Sequence, residues 1–198
     1  MELEKIFHLY KRAGFGTTLT NAEKAASKTK KQVVDDLFQS STKITPLNVP
    51  INEIKALLKN NSGKVSKDTR MQLQKLSRKK LLDFNKKWIY RMGTTNEQLR
   101  ERMTLFWSNH FVVRDRNIVY FQSFNNTLRQ HALGNFRDFV IAVAKEAAML
   151  NYLNNQQNRK KKPNENFARE LMELFTLGEG QYTEKDIKEA ARAFTGWR

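Results

Sequence analysis

The sequence predicts an all-α fold, one irregular multi-helix domain of about eight to ten helices, and three observations predict it. Apolar residues recur at three- and four-residue intervals through nearly every segment of the 198 residues. Nearly every break between those segments carries a capping residue or a glycine. No internal repeat or low-complexity linker divides the chain, so residues 1–198 are expected to form a single helical domain.

Residues 2–12 predict a first helix, with Leu3, Ile6, Phe7 and Tyr10 at helical spacing and Gly14 as its stop. Thr20 and Glu23 stand at capping-box spacing before the next helix, which 31-KQVVDDLF-38 follows. Pro46 and Pro50 mark a loop over 40–50, Ile51 to Leu58 gives a short helix, and 60-NNSG-63 breaks it. From 67 to 92 the residues Met71, Leu73, Leu76, Leu81, Phe84, Trp88 and Met92 keep helical period on a very basic background, predicting one long amphipathic helix. Thr95 and Gln98 suggest a second capping box, leading into Leu99, Met103, Phe106, Trp107, His110 and Phe111 as a buried stripe.

The segment 112-VVRDRNIVYFQ-122 is ambiguous between a hairpin and a loop; the helical spacing of Phe121, Phe124 and Leu128 favours a loop followed by a helix from Ile118 to His131. Gly134 separates that helix from an apolar one over 136–153. After the polar loop 154-NNQQNRKKKP-163, a helix from Glu165 to Leu177 buries Phe167, Leu171, Leu174 and Phe175 and ends at Gly178 and Gly180. Thr183 and Asp186 start a last helix carrying Ile187, Ala190, Ala191 and Phe194.

The formal net charge is +16, and its distribution says more than its size. Residues 51–100 carry 13 Lys/Arg against 4 Asp/Glu, an imbalance found in no other quarter. There Lys75, Arg78, Lys79, Lys80, Lys86, Lys87 and Arg91 lie on the long helix, and a second run, Arg159, Lys160, Lys161 and Lys162, sits in the 154–163 loop. These residues are candidates for binding an anionic partner, a polymer or a lipid surface, against the alternative of a solvated basic face. No window approaches the roughly 20 apolar residues of a membrane span, and no signal peptide is visible in the first thirty residues. With no cysteine, thiolate metal sites, disulfides and Cys nucleophiles are excluded, and no metal or other cofactor is implied.

The densest polar chemistry is 163-PNENFARELMELFTLGEG-180. On a helix, Asn166, Arg169, Glu170 and Glu173 share the side opposite the Phe/Leu stripe, and Arg169 can pair with Glu165 or Glu173. Alternatively Glu170 or Glu173 faces a cleft shared with His8 and His110, a carboxylate and an imidazole suited to acid/base work or metal ligation. His131 near a helix end reads as a favourable C-terminal charge, and 14-GFG-16 as a helix stop rather than a phosphate loop. No Gly-x-Ser-x-Gly elbow and no HExxH occurs.

The blocks 8-HLYKRAGFG-16, 105-LFWSNHF-111, 131-HALGNFRDF-139, 147-AAMLNYLNN-155 and 164-NENFARELMELFTLGEGQYTEKDIKEAARAFTGW-197, in this order, make the chain resemble the bacterial domain of unknown function 1800 family. That resemblance implies that the chain is the N-terminal portion of a longer family domain, with Phe194 and Trp197 packing against sequence beyond it. It also implies a sulfatase-like or phosphatase-like partner protein and export in many members, which leaves localisation open. His8, Arg12, Asn109, His110, Asn164, Glu165, Asn166, Arg169, Glu170 and Glu173 match polar positions that recur in the family, while Ser108 and Asn154 stand where members often carry His and Asp, removing potential metal ligands. The first functional expectation is therefore a binding or scaffold module with a basic surface. The alternative is a hydrolase-type acid/base enzyme on an envelope or extracellular polymer, using Glu170, Glu173 and His110.

Overall fold

The computed structural model describes residues 1–60 and 65–197, which form eleven α-helices and one short 3-10 turn, with no strand among the described residues. The expected break at 60-NNSG-63 falls on residues 61–64, outside the described residues. In order the helices are α1 (Leu3–Ala13), α2 (Leu19–Ala26), α3 (Lys30–Ser40), α4 (Asn52–Asn60), α5 (Lys67–Thr94), α6 (Gln98–His110), α7 (Ile118–His131), α8 (Phe136–Ala144), α9 (Ala147–Tyr152), α10 (Asn166–Glu173) and α11 (Glu184–Ala193).

Several ends follow the capping chemistry expected of them. Gly14 closes α1 by donating its N–H to the Tyr10 carbonyl at 3.0 Å, and Thr183 with Asp186 forms a reciprocal capping box at the start of α11. Other caps lie elsewhere than expected. The hydroxyl of Thr18, not Thr20, caps α2; Thr29 with Gln32 builds a capping box on α3; and α6 starts after Glu97, whose backbone N–H donates to the Thr95 hydroxyl. The apolar run over 136–153 is two helices rather than one. Its break sits at Glu146, whose backbone is extended and whose carboxylate accepts a hydrogen bond from Thr127 on α7, so a polar side chain is drawn across the bundle where a continuous helix would carry it past.

Helix α7 packs against α5, α6, α8 and α9 and is the axis of the molecule. The largest apolar cluster gathers Phe111, Phe124, Leu128, Phe139, Met149 and Phe167 on one side of it, and a second holds Leu47, Val49, Ile54, Phe84 and Ile118 under α5. A third cluster, around Ile6, Ala22 and Val33, joins α1, α2 and α3, and a fourth, Ala168, Ile187 and Ala191, joins α10 to α11. Phe194 and Trp197 are half-buried inside the described chain: Phe194 meets Phe167 edge-on at 5.0 Å and Trp197 at 5.2 Å.

Three residues expected on buried stripes face outward instead. Met71 is 59% exposed, Phe106 53% and Leu174 60%. In α6 the inward positions are polar, Arg100, Glu101 and Thr104, because that helix meets α7 on one side and α5 on another and is bonded to both through charged groups.

Candidate functional site

The long helix α5 is fixed in place by a buried ionic network that the sequence pattern did not reveal. Glu101, fully buried, receives Arg129 Nε at 2.5 Å and Nη2 at 3.2 Å from α7, Arg91 Nε at 2.9 Å from α5, and the Trp88 indole N–H at 2.9 Å. Arg129 is equally buried and also donates to Asn126 Oδ1 at 2.7 Å. Glu97 adds a second carboxylate, accepting from Arg91 at 3.1 Å and from the Thr45 hydroxyl at 2.5 Å. Arg100 donates to the carbonyls of Ser41, Arg129 and Gln130, and burial pulls its guanidinium below the usual value against the opposing influence of Glu97 and Glu101. Arg91, a candidate anion-binding residue by sequence, is thereby spent inside the fold.

With the inner side of α5 held by that network and by the Phe84 cluster, its cations of opposite aspect point away. Lys75, Arg78, Lys79, Lys86 and Lys87 are exposed and Lys80 is half-buried. Lys87 donates to the Asn48 carbonyl at 2.8 Å; none of the six has an ion-pair partner among the described residues. Beside them a cleft of about 710 Å³ is lined by Met71, Gln74, Lys75, Arg78, Leu81 and Arg116. Arg116 comes from the loop between α6 and α7, so the cleft draws cations from two elements and no carboxylate.

The polar residues of α10 divide between two partners. Arg169 grips Glu184 of α11 through two bonds, at 2.7 and 2.8 Å, and reaches Glu165 at 3.3 Å; it does not pair with Glu173. The Glu184 carboxylate holds Arg169 above, and is itself held below, its ordinary value. Glu173 accepts from the Tyr182 hydroxyl at 2.6 Å, and that hydrogen bond, with burial and the carboxylate's charge, pushes the phenol up to about 12. Glu170 is half-buried; its backbone carbonyl accepts from the Leu174 and Phe175 N–H groups, while its carboxylate takes no hydrogen bond or ion pair among the described residues.

The sign of the tyrosine shift sets a measurable window. A phenol whose folded value is raised contributes stability that is fully present below its unfolded value of 10.0 and is lost as pH rises through about 12. In an ultraviolet titration one tyrosine should therefore ionise about two units later than free tyrosine. Glu173→Gln should return it toward 10; an unchanged late titration in that variant would remove Glu173 as the cause.

No hydrogen bond or ion pair joins a histidine to Glu170 or Glu173 among the described residues. His110 is half-buried between Trp107 and Phe111, and its Nε2 lies 3.0 Å from the Phe175 carbonyl, just beyond the end of α10. His8 is exposed on α1, as is Arg12, and the apolar cluster beneath α1 contains no residue of α10. Asn109 is exposed. Asn164 and Asn166 belong instead to a chain of asparagines. Asn166 donates to the Leu153 carbonyl at 3.1 Å, the Asn164 N–H donates to Asn158 Oδ1 at 3.0 Å, and Asn158 donates to the Ala191 carbonyl at 2.7 Å. Asn155, fully buried, extends the chain to the Trp197 carbonyl at 3.2 Å. Buried Asn155 and Asn158 were legible only as loop residues; no periodic pattern marks a side chain whose work is to satisfy backbone groups of three separate elements.

Compared with known families, residues 8–198 match the family described as a protein of unknown function, DUF1800. The chain belongs to the DUF1800 family. No curated protein and no solved structure matches it. In this DUF1800 domain Ser108 donates its hydroxyl to the Leu105 carbonyl one turn back at 2.8 Å, and Asn154 occupies the left-handed region at φ 59° where it turns the chain from α9 into the 3-10 turn. No three His, Asp or Glu side chains converge at metal-ligand distance among the described residues, and no helix is long and apolar enough to cross a membrane. The basic loop of this DUF1800 domain, Lys160 to Lys162, is exposed and sits against Thr195 and Gly196 after α11 rather than against α5.

Proposed function

We propose that this DUF1800 domain is a binding module in which the outer face of α5 contacts an anionic partner. The observation that carries the reading is the contrast in charge pairing. Arg91, Arg129 and Arg169 each hold a carboxylate, while Lys75, Arg78, Lys79, Lys80 and Lys86 hold none among the described residues. Like charges three and four residues apart on one helix repel by a few tenths of a kcal/mol per pair, and Asp83, the acidic residue among them, makes no ion pair. An anionic surface would relieve that repulsion and release counterions.

The test is retention on immobilised heparin, single-stranded DNA and anionic vesicles at 50 and 300 mM salt. Binding to at least one of them, strong at the lower concentration and lost at the higher, is expected. No salt-sensitive binding to any of the three removes the reading.

A second reading, acid/base hydrolysis of an envelope or extracellular polymer, is favoured by one observation: Glu170 is half-buried, its carboxylate has no partner among the described residues, and it stands one turn from Glu173. Against it, Glu173 is engaged by Tyr182 and the His110 Nε2 by a backbone carbonyl. Hydrolysis of a cell-wall or capsular polymer that disappears in Glu170→Gln would establish this reading in place of the first.

A further inference from the structure

On the reading of α5 as an anion-binding face, we infer that its occupant is the surface of an anionic lipid bilayer, with a headgroup phosphate seated in the cleft of Lys75, Arg78 and Arg116. The inference rests on what lies between the cations. Met71, Lys75, Arg78, Leu82, Lys86 and Ile89 follow one another at intervals of four, three, four, four and three residues, so all six stand on one stripe of the helix. Its large apolar members are not sunk into the fold: Met71 is 59% exposed, Leu82 57% and Ile89 69%, with Tyr90 beside them at 71%.

A polyanion would neutralise the lysines and leave those four side chains in water. A bilayer interface satisfies both sets. The apolar groups enter the headgroup boundary, a tyrosine sits naturally at that depth, and lysine stems run along the apolar surface while their ammonium groups stay with phosphates. The helix spans 28 residues, about 42 Å, and lies on the outside of the molecule, so it can meet a plane along its length. The cleft opens on the same stripe, since Met71, Lys75 and Arg78 belong to both, and Arg116 approaches it from the neighbouring loop. Three cations with no carboxylate at the rim suit a phosphate; Met71 and Leu81 suit the first carbons of a lipid.

The experiment uses the whole chain with phosphatidylcholine vesicles, the same vesicles containing phosphatidylglycerol, and immobilised heparin. Co-sedimentation with the phosphatidylglycerol vesicles alone is expected. Leu82→Ser with Ile89→Ser leaves the charge unchanged and should weaken vesicle binding roughly tenfold or more while leaving heparin retention as it was. Arg116→Gln, off the helix, should weaken it about fivefold. Met71→Ser, checked with the others by circular dichroism, gives an independent apolar variant should the double variant fold poorly. Retention on heparin without vesicle binding, or vesicle binding indifferent to the apolar substitutions, overturns the lipid assignment and leaves the anion-binding reading standing. Binding to neither overturns the lipid assignment, and the anion-binding reading falls with it if single-stranded DNA is not retained either.

Discussion

Glu101→Ala is expected to destabilise the domain by about 3–5 kcal/mol, the largest effect of any single substitution away from the apolar cores. Among the described residues the removed carboxylate is the only fixed negative charge touching Arg129, which is fully buried, and it shares Arg91 with Glu97. Without it the Arg129 guanidinium keeps, among the described residues, the amide oxygen of Asn126, and the Trp88 indole loses its acceptor, at a place where Glu101 and Arg129 are both fully buried. Glu101→Gln preserves the shape and part of the hydrogen bonding but not the charge, so it should cost less than the alanine. Arg129→Met, which removes the other ion and fills the space, should be milder than leaving a lone charge inside. Urea denaturation followed by circular dichroism measures all three. A loss below about 1 kcal/mol for Glu101→Ala would mean that solvent enters the network and that α5 is positioned by apolar packing alone.

That network also marks where sequence reasoning stops. The limits of α7, Ile118–His131, follow directly from the phenylalanine and leucine spacing, and the start of α11 follows from its Thr183 box, because both signals are local. Glu97, Arg100, Glu101 and Thr104 also recur at helical spacing, but a stripe of charge reads the same whether it faces water or another helix. What turned it inward was Arg129, 28 residues away. Met71, Phe106 and Leu174 failed in the opposite direction for the same reason: periodicity groups residues onto a side, and only the tertiary partner decides whether that side is covered. In the candidate site, the basic character of α5 was legible from composition, whereas the loss of Arg91 to an internal pair, the contribution of Arg116 and the exposed apolar stripe required the packing around the helix. For α10, spacing placed Arg169 next to Glu165 correctly; it had no means of finding Glu184 or Tyr182, which arrive from beyond the Gly178 and Gly180 turn.

Replacing Lys75, Arg78 and Lys86 together by Gln is expected to weaken binding to anionic vesicles by about 3 kcal/mol, roughly 100-fold, at about 1 kcal/mol per cation near a charged membrane surface. The same change should flatten the dependence of affinity on salt, since three fewer counterion exchanges accompany binding. Fold stability should hold or rise slightly, because none of the three has an ion-pair partner and Lys75 and Arg78 repel each other one turn apart. Arg91→Gln should behave in reverse, lowering stability by breaking the pairs to Glu97 and Glu101 while leaving the surface cations intact. The two substitutions thus separate a charge that holds the fold from charges that meet a partner, although all four residues occupy the same helix and look alike in composition. Neutralising Lys160, Lys161 and Lys162 is the decisive comparison: these too are exposed and unpaired among the described residues, but on a loop against Thr195 and Gly196 with no large apolar side chain lining their cleft. If that loop variant loses as much vesicle affinity as the α5 variant, net charge rather than the face of α5 governs binding, and the partner surface must be sought elsewhere.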